Sequence, residues 1–278
     1  MSRSLAPAER ALEMVDTQRV HRDIYRDPEV FIAEMDRIFA RSWVYVAHES
    51  EVREAGDYKT TRIGTQPVIV NRDRQGVLRV MLNRCRHRAA SVCQLRSGNA
   101  TSFRCQYHGW TYDASGDLVG LPFPEGYQHR DRDELGLVQA ARVESYRGLV
   151  FASLAPDVPS LEDHLKGARH YIDRFMDHLP GHQLEVADQA HRMVFNGNWK
   201  LQMENGVDGY HANFTHQSFF ALMQQATGQQ SRYISSKEEA ESDGPTSAHL
   251  GNGHGLLDQS QAASGVLRQR LRTLQGAP

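Results

Sequence analysis

The chain has 278 residues, 40% of them hydrophobic and 24% charged, a balance that supports one large globular domain or two ordinary ones. A formal net charge of -2 without a basic block gives no basis for a nucleic-acid partner. Apolar runs such as Gly148–Ala155 are too short to span a bilayer and the first 20 residues lack the apolar centre of a secretory signal, so the expected address is the cytoplasm.

Residues 1–40 read as a helical segment. Within it Pro28–Arg41 places Phe31, Ile32, Met35, Ile38 and Phe39 at helical spacing. From Trp43 onward, short runs rich in Val, Ile, Tyr and Phe alternate with Gly, Asp and Asn turns. Strands are predicted at Trp43–Ala47, Asp57–Ile63, Gln66–Asn71, Leu78–Asn83, Thr101–Gln106, Trp110–Asp113 and Leu149–Leu154. Arg72–Gly76 and Asp113–Gly116 read as turns. Residues 41–155 therefore form one all-β module, and 156–278 a second domain. In the second, Leu161–Leu179 has a helical pattern, Glu185–Phe195 is strand-like, and another helix starts near Trp199 and runs into the 210s. Residues 223–253 are polar and read as a mobile loop or lid. Gly265–Leu274 reads as a terminal helix. The expected class is α+β, with the all-β module ahead of a helix-and-sheet domain.

Three cysteines are too few, and odd in number, for a disulfide framework. In a reducing compartment, cysteines close to histidines point to a metal. Cys85-x-His87 and Cys105-x-x-His108 are two such pairs, separated by 17 residues, each at a loop between predicted strands. Two thiolates and two imidazoles suit a single tetrahedral zinc. They also suit a [2Fe–2S] cluster with both sulfurs on one iron and both imidazoles on the other. In that arrangement each loop gives one ligand to each iron, which fits the mixed pairing, whereas zinc fingers pair Cys with Cys along the chain. Cys93 has no partner at matching spacing and reads as a free thiol.

Downstream, Glu204, Asn205, Asp208, His211 and His216 crowd into one stretch. On a regular helix Glu204, Asp208 and His211 would fall within about 60° of each other, while His211 and His216 would diverge by about 140°. A bulged turn or helix break is therefore predicted near Ala212–Thr215. Two imidazoles and a carboxylate make the facial triad of non-haem Fe(II) oxygenases.

The pattern C-x-H-R…C-x-x-H-G-W, with Gly109 and Trp110 after the last donor, closely resembles the Rieske fingerprint. The run E-N-x-x-D-x-Y-H-x-x-x-x-H resembles the iron-binding segment of Rieske oxygenase large subunits. The likeness extends from the DPEVF helix, through the HESEV segment at His48, to the GNGHG run at Gly251–Gly255. It implies an all-β Rieske domain followed by a partial catalytic domain, with Cys85, His87, Cys105 and His108 holding the [2Fe–2S] cluster. It further implies mononuclear Fe(II) on His211 and His216. Asp208 matches the carboxylate linking a Rieske histidine of one subunit to an iron ligand of its neighbour, and Asn205 and Tyr210 are near-site candidates.

The implied reaction is hydroxylation of an aromatic ring with O₂ and electrons from NAD(P)H, through a reductase and in some systems a ferredoxin. The spelling ENGVDGYH points to the benzoate, anthranilate and salicylate branch, hence a carboxylated ring. The implied assembly is a homotrimer, or an α₃β₃ hexamer with a small subunit. In that family the third iron ligand is a carboxylate far beyond the histidine pair, and only 62 residues follow His216. Asp258 does not match that position, so the ligand is expected beyond residue 278 and the chain is expected to be a fragment. The rival readings are a Rieske electron carrier without oxygenase activity, a zinc-binding module, and a monooxygenase or O-demethylase of the same family.

Overall fold

The structure is a computed structural model that describes residues 6–179, 181, 184–187, 193–228 and 246–258. The chain forms two units, one from residues 1–164 and 170–194, the other from 165–169 and 195–278. No helix among the described residues is long and apolar enough to cross a membrane.

The first unit opens with short helices α1 (Pro7–Glu13), α2 (Asp23–Arg26) and α3 (Pro28–Glu34). Asp27 caps α3 by accepting the Glu29 N–H at 2.8 Å, and Pro28 supplies the fixed φ of a first helical residue. The predicted helix over Pro28–Arg41 ends differently from its pattern: Met35–Phe39 is a π turn, closed by Ala40 N–H on the Met35 carbonyl. The π turn shifts the helical phase. Val30 and Glu34 are the buried residues of α3, while Phe31, Ile32 and Ile38 stay exposed.

Ten strands follow. They are β1 (Val44–His48), β2 (Asp57–Ile63), β3 (Gln66–Arg72), β4 (Leu78–Leu82), β5 (Ser97–Asn99), β6 (Ser102–Arg104), β7 (Thr111–Asp113), β8 (Leu118–Gly120), β9 (Arg142–Tyr146) and β10 (Leu149–Ser153). They pair antiparallel into three sheets, ordered β4-β3-β2-β5, β6-β7-β8 and β1-β10-β9. All seven predicted strands are present, within two residues at each end. The short β5 and β8, and β9 with its mixed polar face, carry too few β-branched residues in sequence to announce themselves.

Strand β3 is buried on both faces, because alternate side chains enter different cores. Val68 and Val70 pack with Val46, Val80 and Val150. Ile69 joins the other core, with Met81, Phe103, Trp110 and Tyr112. Cys85 and Cys105 belong to that second core, so two of the candidate metal donors sit on a packed floor. Each large side chain there contributes roughly 1.5–3 kcal/mol of burial. Both predicted turns form, with Gly76 and Gly116 at positive φ and their N–H groups on the carbonyls of Asp73 and Asp113.

The predicted helix over Leu161–Leu179 is two helices, α4 (Leu161–Leu165) and α5 (Ala168–Asp177). Lys166 takes a left-handed φ of 44° between them, which ends a right-handed helix. Glu185–Ala187 and Met193–Phe195, the described parts of the predicted strand at 185–195, form no strand.

In the second unit, α6 (Trp199–Val207), α7 (Ala212–Thr215) and α8 (Gln217–Thr227) precede a hairpin of β11 (Thr246–Gly251) and β12 (His254–Asp258). The expected lid at 223–253 is thus helix at its start and strand at its end. Its middle, and the predicted helix at Gly265–Leu274, lie outside the described residues.

Candidate metal centres

The first centre stands on two loops, one after β4 and one between β6 and β7. They close in the same way. Cys85 N–H bonds the Ala90 carbonyl at 2.9 Å and Ala89 N–H bonds the Cys85 carbonyl at 2.9 Å. In the second loop, Cys105 N–H bonds the Trp110 carbonyl at 2.8 Å and Gly109 N–H bonds the Cys105 carbonyl at 3.0 Å. The fourth residue after each cysteine is left-handed, Ala89 at φ 59° and Gly109 at φ 74°. Glycine adopts that conformation freely, whereas Ala89 holds it at a cost of about 1–2 kcal/mol.

The four donors sort by depth. Cys85 and Cys105 are 4% and 2% exposed and belong to the same buried cluster. His87 is half-buried and His108 exposed, with their Nδ1 atoms 3.1 Å apart. The His87 ring stacks on Trp110, centroids 5.2 Å apart and planes 7° from parallel. Burial raises the Cys85 thiol pKa. Burial, then His108 and Arg88, lowers that of His87, which keeps the imidazole neutral and able to ligate. A sulfur pair inside and an imidazole pair outside fit a two-iron group that spans from core to surface. Among the described residues no three His, Cys, Asp or Glu side chains converge as one mononuclear metal requires.

Two supporting residues went unnoticed in the sequence. The Asn83 amide accepts N–H bonds from Val92 and Cys93 through Oδ1 and donates to the Cys93 carbonyl through Nδ2. It therefore staples the first loop, and an Asn directly after a strand was the available signal. The Tyr112 hydroxyl, fully buried, accepts the Arg86 N–H at 3.0 Å and lies 3.3 Å from Cys85 Sγ. With its oxygen engaged by Arg86, its proton is free to point at the sulfur. Burial, reinforced by Cys85, raises its pKa, so the proton stays on. Cys93 remains a free thiol, its pKa raised by burial.

The second centre is looser. Helix α6 stops at Val207, and Asp208 is an extended cap residue with φ -97° and ψ 110°. Asp208 therefore does not lie on one helical face with Glu204, as regular geometry had implied; Gly209 and the cap break the helix first. The predicted break also falls elsewhere. Ala212–Thr215 is itself a helical turn, and the chain departs from helix on either side, at Asp208 and at His216 with φ -101° and ψ 23°. This rearrangement brings the His211 and His216 rings to 5.3 Å. Asp208 Oδ2 lies 3.1 Å from His211 Nδ1, and its Oδ1 accepts the Tyr210 N–H at 2.7 Å. The Tyr210 amide, then His211, lowers the Asp208 pKa, which keeps it a carboxylate. The Tyr210 side chain is exposed. Asn205 stays on α6, and Asp258 ends β12 opposite Thr246.

The hairpin braces the end of α6. Ser247 donates its hydroxyl to the Val207 carbonyl at 2.6 Å. A Cβ at Gly255 would stand 3.1 Å from Val207 Cγ1, so the hairpin needs glycine to approach this closely.

Residues 42–146 match the Rieske [2Fe-2S] domain, and residues 164–277 match the catalytic domain of the ring hydroxylating alpha subunit. The chain belongs to the Rieske-type ring-hydroxylating alpha-subunit family. Toluate 1,2-dioxygenase subunit alpha of Pseudomonas putida is 41% identical over 74% of this chain and 46% of its own length. The anthranilate 1,2-dioxygenase large subunit of Acinetobacter baylyi is 42% identical over 74% of this chain and 44% of its own. A solved naphthalene 1,2-dioxygenase from Rhodococcus sp., bound to indole, superposes with a TM-score of 0.75 at 36% identity, covering 91% of this chain and 56% of that one. The chain thus spans less than half the length of these two curated relatives. The all-β Rieske domain followed by catalytic-domain helices is the fold class expected from sequence.

Proposed function

We propose that this chain carries the electron-accepting and iron-binding residues of a terminal oxygenase that hydroxylates an aromatic, carboxylated ring. Cys85, Cys105, His87 and His108 would hold a [2Fe–2S] cluster, the thiolates from the buried side and the imidazoles from the exposed side. His211 and His216 hold a mononuclear Fe(II), with Asp208 as their bridging carboxylate. The observation that carries this reading is the depth-sorted thiol–imidazole set on two matched loops, followed in sequence by the Asp208–His211–His216 cluster.

When bound, the cluster would supply one-electron transfer and the lone iron a site for O₂. The chain's own residues do the rest. Trp110 fixes the plane of the His87 ring. The Asp208 carboxylate orients His211 by accepting its Nδ1–H, which leaves Nε2 as the ligating atom. By its match to the family's bridging carboxylate, Asp208 also reaches a Rieske histidine of a neighbouring copy, in a trimer or an α₃β₃ hexamer. Electrons enter from NAD(P)H through a reductase, with or without a ferredoxin. The carboxylated ring is supported by the two curated relatives, whose names specify toluate and anthranilate.

Iron and acid-labile sulfide measured on the anaerobically reconstituted chain test this. The expected result is about two irons and two sulfides per chain, a brown colour and a rhombic signal after dithionite. His211→Ala should leave that signal intact and remove only additional iron. A colourless chain holding stoichiometric zinc would overturn it.

A further inference from the structure

Helix α6 ends at Val207, and the β11–β12 hairpin lies against that end. In an antiparallel pair, directly opposite residues share a face, and so do residues two apart on one strand. Ser247 pairs with Leu257 and His249 with Gly255, so these four positions form one face of the hairpin. Two of the four meet Val207. The Ser247 hydroxyl bonds its carbonyl at 2.6 Å, and a Cβ on Gly255 would stand 3.1 Å from its Cγ1. His249 therefore stands on the face that meets the end of α6, beside Ser247 and across from Gly255. Asp208, the first residue of the second centre, follows Val207 directly in the chain.

His249 is exposed and makes no hydrogen bond or ion pair with a described residue. Glycine opposite leaves it uncrowded by a cross-strand side chain. Ser247 is committed to Val207, and Leu257 offers only apolar surface, so this face carries one free polar group in an apolar wall. A carboxylate drawn out of water is costly unless a donor receives it. The other cationic groups described in this unit stand elsewhere. Lys200 is in the first turn of α6, about 10 Å along the axis from Val207, with its Nζ 5.3 Å from the Trp199 ring centroid. Lys166 lies along the hairpin turn, its Cδ 2.9 Å from where a Gly251 Cβ would be. Arg169 belongs to α5, and His254 pairs with Gly251 beyond the irregularity that follows His249.

We propose that His249 binds the carboxylate of the aromatic substrate, its imidazole N–H donating to a carboxylate oxygen, and so sets which edge of the ring meets the His211–His216 pair. This rests on the reading of the substrate as a carboxylated ring. Imidazole offers an N–H in either tautomer and when protonated, so the anchor works whatever its charge.

The test measures dissociation constants of benzoate and toluene for the full chain by ligand-observed NMR in sealed tubes; toluene keeps the ring and lacks the charge. His249→Leu should weaken benzoate about tenfold or more and change toluene by less than about twofold. His249→Gln keeps an N–H donor and should bring benzoate back to within about threefold of the parent chain. In the parent chain with labelled histidines, benzoate should also shift the His249 imidazole signals, a readout independent of any variant's folding. Equal weakening of both ligands in His249→Leu makes the residue a packing element and overturns the anchor. Unchanged benzoate binding in that variant overturns it too. A parent chain that binds toluene and not benzoate sinks the carboxylated-ring reading instead, and one that binds neither overturns the hairpin as a wall of the substrate site.

Discussion

At the residue scale, Tyr112 does two jobs in one position. Its ring fills the core beneath the loops, and its hydroxyl directs a proton at Cys85 Sγ. A donor to sulfur stabilises the more negative, reduced cluster more than the oxidised one. Tyr112→Phe keeps the ring and removes the donor, so the reduction potential should fall by roughly 30–60 mV, equivalent to about 1 kcal/mol for one electron. An EPR-monitored redox titration measures this, and an unchanged potential would show that the hydroxyl points elsewhere. The pairs Cys85/His87 and Cys105/His108 stood out by spacing and by their likeness to the Rieske fingerprint, because a cofactor dictates which residue types must stand near each other, and the folded loops bring the four together. Tyr112 and Asn83 did not stand out. Their roles depend on which backbone groups come within reach after the loops fold, and neither residue type at those positions is chemically distinctive.

At the scale of elements, the strands were legible and the helices less so. Strand patterning has a period of two and survives in runs as short as β7, which holds three residues. Helix boundaries depend on single positions: the left-handed Lys166 divides α4 from α5, and Asp208 leaves α6 as an extended cap. That second boundary matters for chemistry, because it sets the direction from which the carboxylate meets His211. The β11–β12 hairpin holds the boundary through Ser247 and Gly255. Ser247→Ala should cost about 1 kcal/mol of stability by leaving the Val207 carbonyl without its partner. It should also weaken iron retention at His211 and His216, while Ser247→Thr restores both. Thermal unfolding and iron titration with a chelator read the two effects, and weakened stability with unaltered iron affinity would limit the hairpin to packing.

At the scale of the whole chain, two units carry two different kinds of site. The first site is closed by residues 83–112 within one unit. The second brings together His211, His216 and Asp208, with no third converging ligand among the described residues. Binding stabilises only the unit that holds the ligand. Removing the cluster should therefore lower the melting temperature of the first unit by several degrees and leave that of the second in place. Calorimetry of the chain with and without its cluster checks this, and an equal drop in both would mean that they unfold together.

The twin loops have one more consequence, for how firmly the two turns are held. Each turn is closed by its own pair of main-chain bonds, Cys85 with Ala89 and Ala90, Cys105 with Gly109 and Trp110. Small zinc modules differ, since there the ion must organise a disordered chain. Here main-chain bonds share that task, so the amide hydrogens of Ala89 and Gly109, both bonded to cysteine carbonyls, should exchange slowly with deuterated solvent.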